Sequence, residues 1–248
     1  RDLRPGGSAG SGRVTVIDRR GVHDRAAAVK QILNSAGGVP TVIFAATKRR
    51  QVALEGQLPP APPLAFLSSG RDNYERGLAV SPEGWRQLIL YDLPLSGKML
   101  EPFFKGCPGG GAVKIHLLYS EADGKRNDLL LGAALPSPGA LEALYRAWSE
   151  AAAAGESEFP GKLRETLGFP AGEKFWERSL KIFDEAGLAR SGAPLPPEAL
   201  AALEQLFDSS PLFQAAQKRR ESCLRYQEQL LESSPEELAA FWDKQLKG

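Results

Sequence analysis

Short apolar, β-branched runs alternate with helix-periodic segments through the first half of the chain, and this alternation constrains the fold more than any other feature. Val14-Thr15-Val16-Ile17 has the length and composition of a buried strand, because a brief β-branched run bounded by turn residues suits a sheet interior. Val29, Ile32, Leu33 and Ala36 follow at helical spacing, and Gly37-Gly38 ends that pattern as a C-terminal cap does. Thr41-Val42-Ile43-Phe44 then starts a second unit, with a helix expected from Thr47 to Leu58 and stopped by Pro59-Pro60. Leu64 to Leu67, Leu88 to Tyr91 and Ala112 to Tyr119 are further strand candidates, and Leu100, Phe103 and Phe104 mark a helix between the last two. Strand, helix, strand, helix predicts an α/β fold with a mostly parallel sheet in three layers.

The pattern changes in the second half. Leu141, Leu144, Tyr145 and Trp148 sit at i, i+3, i+4 and i+7, a single apolar stripe that closes a first domain expected over 13–154. Residues 155–161 have linker composition, and beyond them strand signals nearly vanish. A short helix near Lys162 to Leu167 and a stronger one from Glu173 to Ala186 precede a short β segment at 187–190, the coarse outline of a winged-helix-like unit. Ser210-Pro211 and Ser234-Pro235-Glu236-Glu237 each place an N-cap serine before a proline at the first helical position, so two long helices should end a helical domain over 155–248. Residues 1–12 read as a flexible lead-in.

Charge and cysteine content narrow the function classes. Lys and Arg total 31 against 30 Asp and Glu, so the chain lacks the overall basic excess of a dedicated nucleic-acid binder. The first fifty residues are locally basic, with Arg13, Arg19, Arg20, Arg25, Lys30, Lys48, Arg49 and Arg50 among their cations and only Asp2, Asp18 and Asp24 opposing them. Cys107 and Cys223 have no CxxC or Cys/His spacing, which indicates neither a zinc site nor a disulfide framework and fits a reducing cytoplasm. No apolar run reaches the roughly 18 residues of a membrane span, and the N-terminus lacks the apolar region of a signal peptide. A start at Arg1 with Met99 as the sole methionine leads to the expectation of a piece cut from something longer.

Several motifs fail on context. Gly6-Gly7-Ser8-Ala9-Gly10 satisfies GxSxG, but a nucleophile elbow needs a strand before its serine and a helix after it. Gly7 to Gly12 imitates a phosphate loop without its lysine and ahead of its strand. His23 and His116 have no partners at metal-ligand spacing; Asp24 is placed to cap a helix, and His116 is expected to be a satisfied strand histidine. Thr47-Lys48-Arg49-Arg50 is the most informative polar cluster, since it follows the carboxyl end of a predicted parallel strand and opens a helix. Open α/β sheets bind ligands there, and a helix start flanked by cations suits a phosphate or an acidic peptide.

Residues 41–50 and 87–94 resemble the strand and threonine-arginine segment, and the later strand with its acidic-apolar-proline turn, of the C-terminal RecA-like lobe of superfamily 2 helicases. Where those lobes carry an arginine that reaches ATP, this chain has Phe104-Lys105-Gly106-Cys107-Pro108-Gly109-Gly110-Gly111. A lobe of this kind followed by Glu121-Ala122-Asp123, the helix around Leu141 to Trp148 and a helical tail with Leu180 to Leu188 and Ser209 to Phe213 resembles the C-terminal region of RecJ-type single-stranded-DNA exonucleases. The resemblance implies a non-catalytic accessory module of a bacterial 5′-to-3′ exonuclease, with no catalytic residue and no cofactor in this part. Manganese or magnesium would be held by upstream aspartates and histidines. Its implied partners are the upstream exonuclease core in cis and single-stranded DNA or a repair partner such as the acidic tail of single-stranded-DNA-binding protein. Thr47, Lys48, Arg49 and Arg50, with Arg71, Arg76, Lys98 and Lys105 on nearby loops or helix starts, are the expected contacts. The alternative is the second lobe of a helicase whose ATP-binding lobe lies outside the sequence.

Overall fold

A computed structural model describes residues 8–58, 64–68, 84–107, 111–153, 173–190, 193–194 and 207–246. The chain divides into two compact units, one of Arg1–Lys125 with Cys223–Gly248 and one of Arg126–Ser222. This partition differs from the boundary expected at 154. The first unit takes strands from one end of the chain and helix from the other, a long-range closure that local composition does not reveal.

The first unit carries a six-stranded sheet: β1 (Ser8–Ser11), β2 (Val14–Asp18), β3 (Thr41–Ala45), β4 (Leu64–Ser68), β5 (Gln87–Leu90) and β6 (Val113–Leu117). Their spatial order is β1-β2-β6-β5-β3-β4. All pairs are parallel except β1 with β2, so the α/β expectation holds. The lead-in does not remain featureless, because Ser8–Ser11 folds back on β2 through a turn in which Gly12 adopts φ 61°. That hairpin has no apolar alternation to announce it.

Helix α1 (Arg25–Ser35) starts on the Asp24 cap, whose carboxylate accepts the Ala27 N–H. Helix α2 (Lys48–Glu55) starts on Thr47, whose hydroxyl accepts the Arg50 N–H. Both cover the sheet face of Ile43 and Ile89, burying Val29, Ile32 and Leu54 against it. Val16, Leu88, Leu90, Ile115 and Leu117, which alternate with that face, are also fully buried, as a parallel sheet covered on both sides requires. A 3₁₀ turn (Gly97–Met99) leads into α3 (Glu101–Gly106). Helix α4 (Glu121–Ala134) begins in this unit. Tyr119 donates its hydroxyl to the Leu230 carbonyl, and Arg20 donates to the carbonyls of Leu230 and Leu231.

The second unit is helical, with α5 (Pro138–Ala153), α6 (Glu173–Glu185), a hairpin of β7 (Ala189–Arg190) and β8 (Ala193–Pro194), and the start of α7 (Pro211–Glu232). The stripe Leu141, Leu144, Tyr145 and Trp148 belongs to this unit's core, packed with Phe175, Ile182 and Phe183. It therefore does not close the sheet domain as its position in sequence led us to expect. The short helix expected near Lys162 to Leu167 lies outside the described residues. The last helix, α8 (Pro235–Gln245), returns to the first unit and packs against β1 and β2. Both N-cap serines of the tail occur as expected: Ser210 accepts the Phe213 N–H, and Ser234 forms a complete capping box with Glu237.

Candidate ligand crevice

The chain leaves β3 through α2 toward β4, and leaves β5 through α3 in the opposite direction toward β6. β3 and β5 are neighbours, so their carboxyl ends form the point where the connections diverge, the usual ligand crevice of an open α/β sheet. The residues that follow these strands, Ala46 and Thr47 on one side and Tyr91 and Asp92 on the other, meet there.

Asp92 is fully buried. Its Oδ2 accepts the Ala46 N–H at 2.8 Å and Arg50 Nε–H at 2.8 Å, while Arg50 Nη2 lies 2.7 Å from Oδ1. Arg50 thus hydrogen-bonds one carboxylate oxygen through Nε and ion-pairs with the other through Nη2. The Arg50 guanidinium also lies 5.3 Å from the centre of the Tyr91 ring, within cation–π range. Arg25 reaches in from the start of α1, with Nη1 2.8 Å from Asp123 Oδ2 and 3.5 Å from Asp92 Oδ1. It donates further to the Tyr91 carbonyl and the Ser120 hydroxyl. Asp123 in turn accepts the Ser120 N–H.

Two carboxylates are thus matched by two guanidiniums, and the crevice carries no net charge from these four groups. Desolvation pulls the Arg50 proton affinity down, but the hydrogen bond and charge of Asp92 outweigh it and the pKa is raised. Removing one member of such a buried pair costs about 3–5 kcal/mol, because the other charge is stranded.

The expected contact residues divide accordingly. Lys48 and Arg49 are exposed on the first turn of α2, whereas Arg50 turns inward and is not a free cation. Thr47 is occupied as the helix cap. Lys98 is exposed in the 3₁₀ turn after β5. Lys105 lies at the other end of the sheet, next to Gly106, whose carbonyl accepts the Gly84 N–H just before β5. It is paired with Glu101 at 3.1 Å, so it does not join the Thr47 cluster. Arg71 and Arg76 lie outside the described residues. Reading from sequence missed Asp92, Asp123 and Arg25. The one signal for Asp92 was a carboxylate directly after a buried strand.

Two further groups are chemically quiet. Burial pushes the Cys107 thiol up to about 11, against the pull of Arg86 and Arg13, so it stays protonated at neutral pH and is a poor nucleophile. His116 is not the satisfied histidine expected, since neither ring nitrogen has a hydrogen-bond partner among the described residues. Burial, then Arg19 and Lys114, lowers its pKa to about 4. Among the described residues no group of three or more His, Cys, Asp or Glu is arranged to hold a metal ion, and no helix is long and apolar enough to cross a membrane. No family model matches the sequence, and none of the curated proteins is significantly similar to it.

Proposed function

We propose that the chain is a non-catalytic binding module that contacts single-stranded DNA or an acidic repair-protein tail through exposed cations at the start of α2. The supporting observation is the division of charge at the carboxyl end of the sheet. Arg25 and Arg50 are neutralised inside by Asp123 and Asp92, while Lys48 and Arg49 face solvent beside them. In this reading the sheet unit is a RecA-like lobe reused for binding, and the helical unit with its β7–β8 hairpin is a winged-helix-like companion. The parent is a cytoplasmic RecJ-like exonuclease whose manganese or magnesium chemistry sits upstream. The alternative, a second helicase lobe, needs a cation able to turn from protein to nucleotide phosphate. Both arginines at this crevice are instead engaged with carboxylates.

Fluorescence anisotropy with a labelled single-stranded oligonucleotide, and separately with an acidic peptide, tests the proposal. Binding should weaken about tenfold or more between low and physiological salt, as phosphate contacts do. Lys48→Glu combined with Arg49→Glu should remove it while leaving the thermal transition unchanged. Absence of binding to both probes, or binding indifferent to the double reversal, overturns the assignment.

A further inference from the structure

We infer that Arg25, Arg50 and the Ala46 amide form an oxyanion site that the chain fills with its own Asp92 carboxylate. Three groups converge from separate segments: the Arg25 charge from the start of α1, the Ala46 N–H from the residue after β3, and the Arg50 Nε–H from the first turn of α2. They grip both oxygens of a single carboxylate at the place where an α/β sheet ordinarily receives a ligand. Guanidinium groups with a backbone N–H beside them are the kind of set that recognises carboxylates and phosphates in ligands. Here the acceptor is tethered, reaching the donors from the end of β5.

The charge balance defines what happens when the tether is cut. With Asp92 present, two carboxylates oppose two guanidiniums; without it, one positive charge is uncompensated in a site where Asp92 itself is fully buried. A planar anion of carboxylate size restores both the charge and the hydrogen bonds. Formate is the smallest such probe. The side chain of Arg50, 36% exposed, borders the route from solvent. Because the intact chain supplies its own anion, external carboxylate or phosphate finds no place there. Any contact with DNA or an acidic partner is thereby left to cations outside the crevice. Lys48 and Arg49 contribute nothing to the grip on Asp92, so formate rescue and binding of DNA or an acidic peptide are independent readouts.

The test uses the full chain with Asp92→Ala, melted in sodium formate and in sodium chloride at matched ionic strength. The variant should melt lower than wild type. A rise of about 3 °C at about 100 mM formate is expected for a site with a dissociation constant of ~10 mM. Wild type should show no formate-specific rise, and neither should Asp92→Ala with Arg50→Gln. If Asp92→Ala is unfolded at room temperature, formate should restore its helical circular dichroism and chloride should not. Failure of formate to stabilise or restore the single variant overturns the inference, as does an equal response in wild type or in the double variant.

Discussion

The α/β unit buries charge, and the helical unit buries rings. The titratable acidic and imidazole side chains that are buried among the described residues, Asp92, His116, Asp123 and Asp243, all belong to the α/β unit. In the helical unit the buried polar side chains are neutral, Asn127, Ser149, Ser179 and Ser210, around a core of Tyr145, Trp148, Phe175, Trp176, Phe183 and Phe207. Pairing specifies the first unit at its strand ends, so a wrong partner there is costly. The second is specified by shape and apolar area, with Tyr145 edge-on to Phe183 at 5.2 Å and Trp148 stacked on Phe183 at 5.8 Å. A unit of the second kind explains its own stability and little else. Fixed, oriented charge at a sheet's carboxyl end is where chemistry or recognition can be built.

The contrast breaks most directly at Phe183. Truncation to Ala should cost about 3–5 kcal/mol, the range for an aromatic ring removed from a packed core. The loss should be nearly the same at low and high salt. Denaturant melts, with hydrogen exchange of the α5 and α6 amides, check both points. A loss below ~1 kcal/mol, or one that changes strongly with ionic strength, would mean that the rings are not what holds this unit.

The next largest effect belongs to His116 in the α/β unit. Its folded pKa of about 4 lies below the ordinary 6.5, so between these values the unfolded chain binds more protons than the folded one. Stability therefore rises with pH across this window, is unaffected by the group above it, and is reduced as pH falls toward 4. The full shift corresponds to roughly 3 kcal/mol. His116→Leu should flatten the pH dependence of unfolding free energy over that range relative to wild type. Two parallel curves would show that the imidazole titrates normally and is not sealed in the sheet.

Most strands and caps were legible because they rest on local rules. Val14–Asp18, Thr41–Ala45, Gln87–Leu90 and Val113–Leu117 are short segments rich in Val, Ile and Leu, and Asp24, Ser210 and Ser234 sit one residue ahead of their helices. What stayed hidden rests on distant pairing. Ser8–Ser11 has no hydrophobic pattern and becomes a strand only because β2 offers an edge. Arg50 looks like its neighbours Lys48 and Arg49 in sequence, and its inward turn depends on a carboxylate 42 residues away. The return of α8 to the sheet is equally non-local: the Asp243 carboxylate accepts the Arg13 N–H across 230 residues. Thr47 to Arg50 follow the carboxyl end of β3 as the strand pattern implied, but the division between buried and exposed cations required the fold.

The smallest expected effect tests that return. Ser234→Ala removes the acceptor for the Glu237 N–H but leaves the Glu237 carboxylate able to accept the Ser234 backbone N–H. About 1 kcal/mol is the usual cost of losing such a cap. Helix α8 buries Leu238, Ala239 and Trp242 and packs on β1 and β2, so the loss should not be confined to fraying of the helix start. It should appear in the exchange of β2 amides, because a sheet covered by a weakened helix opens with it. If the β2 amides exchange as in wild type while the first turn of α8 frays, the helix is an ornament on the sheet and not part of its closure. The tail's part in the α/β unit would then be left to the end of α7, through the bonds of Tyr119 and Arg20 to Leu230 and Leu231.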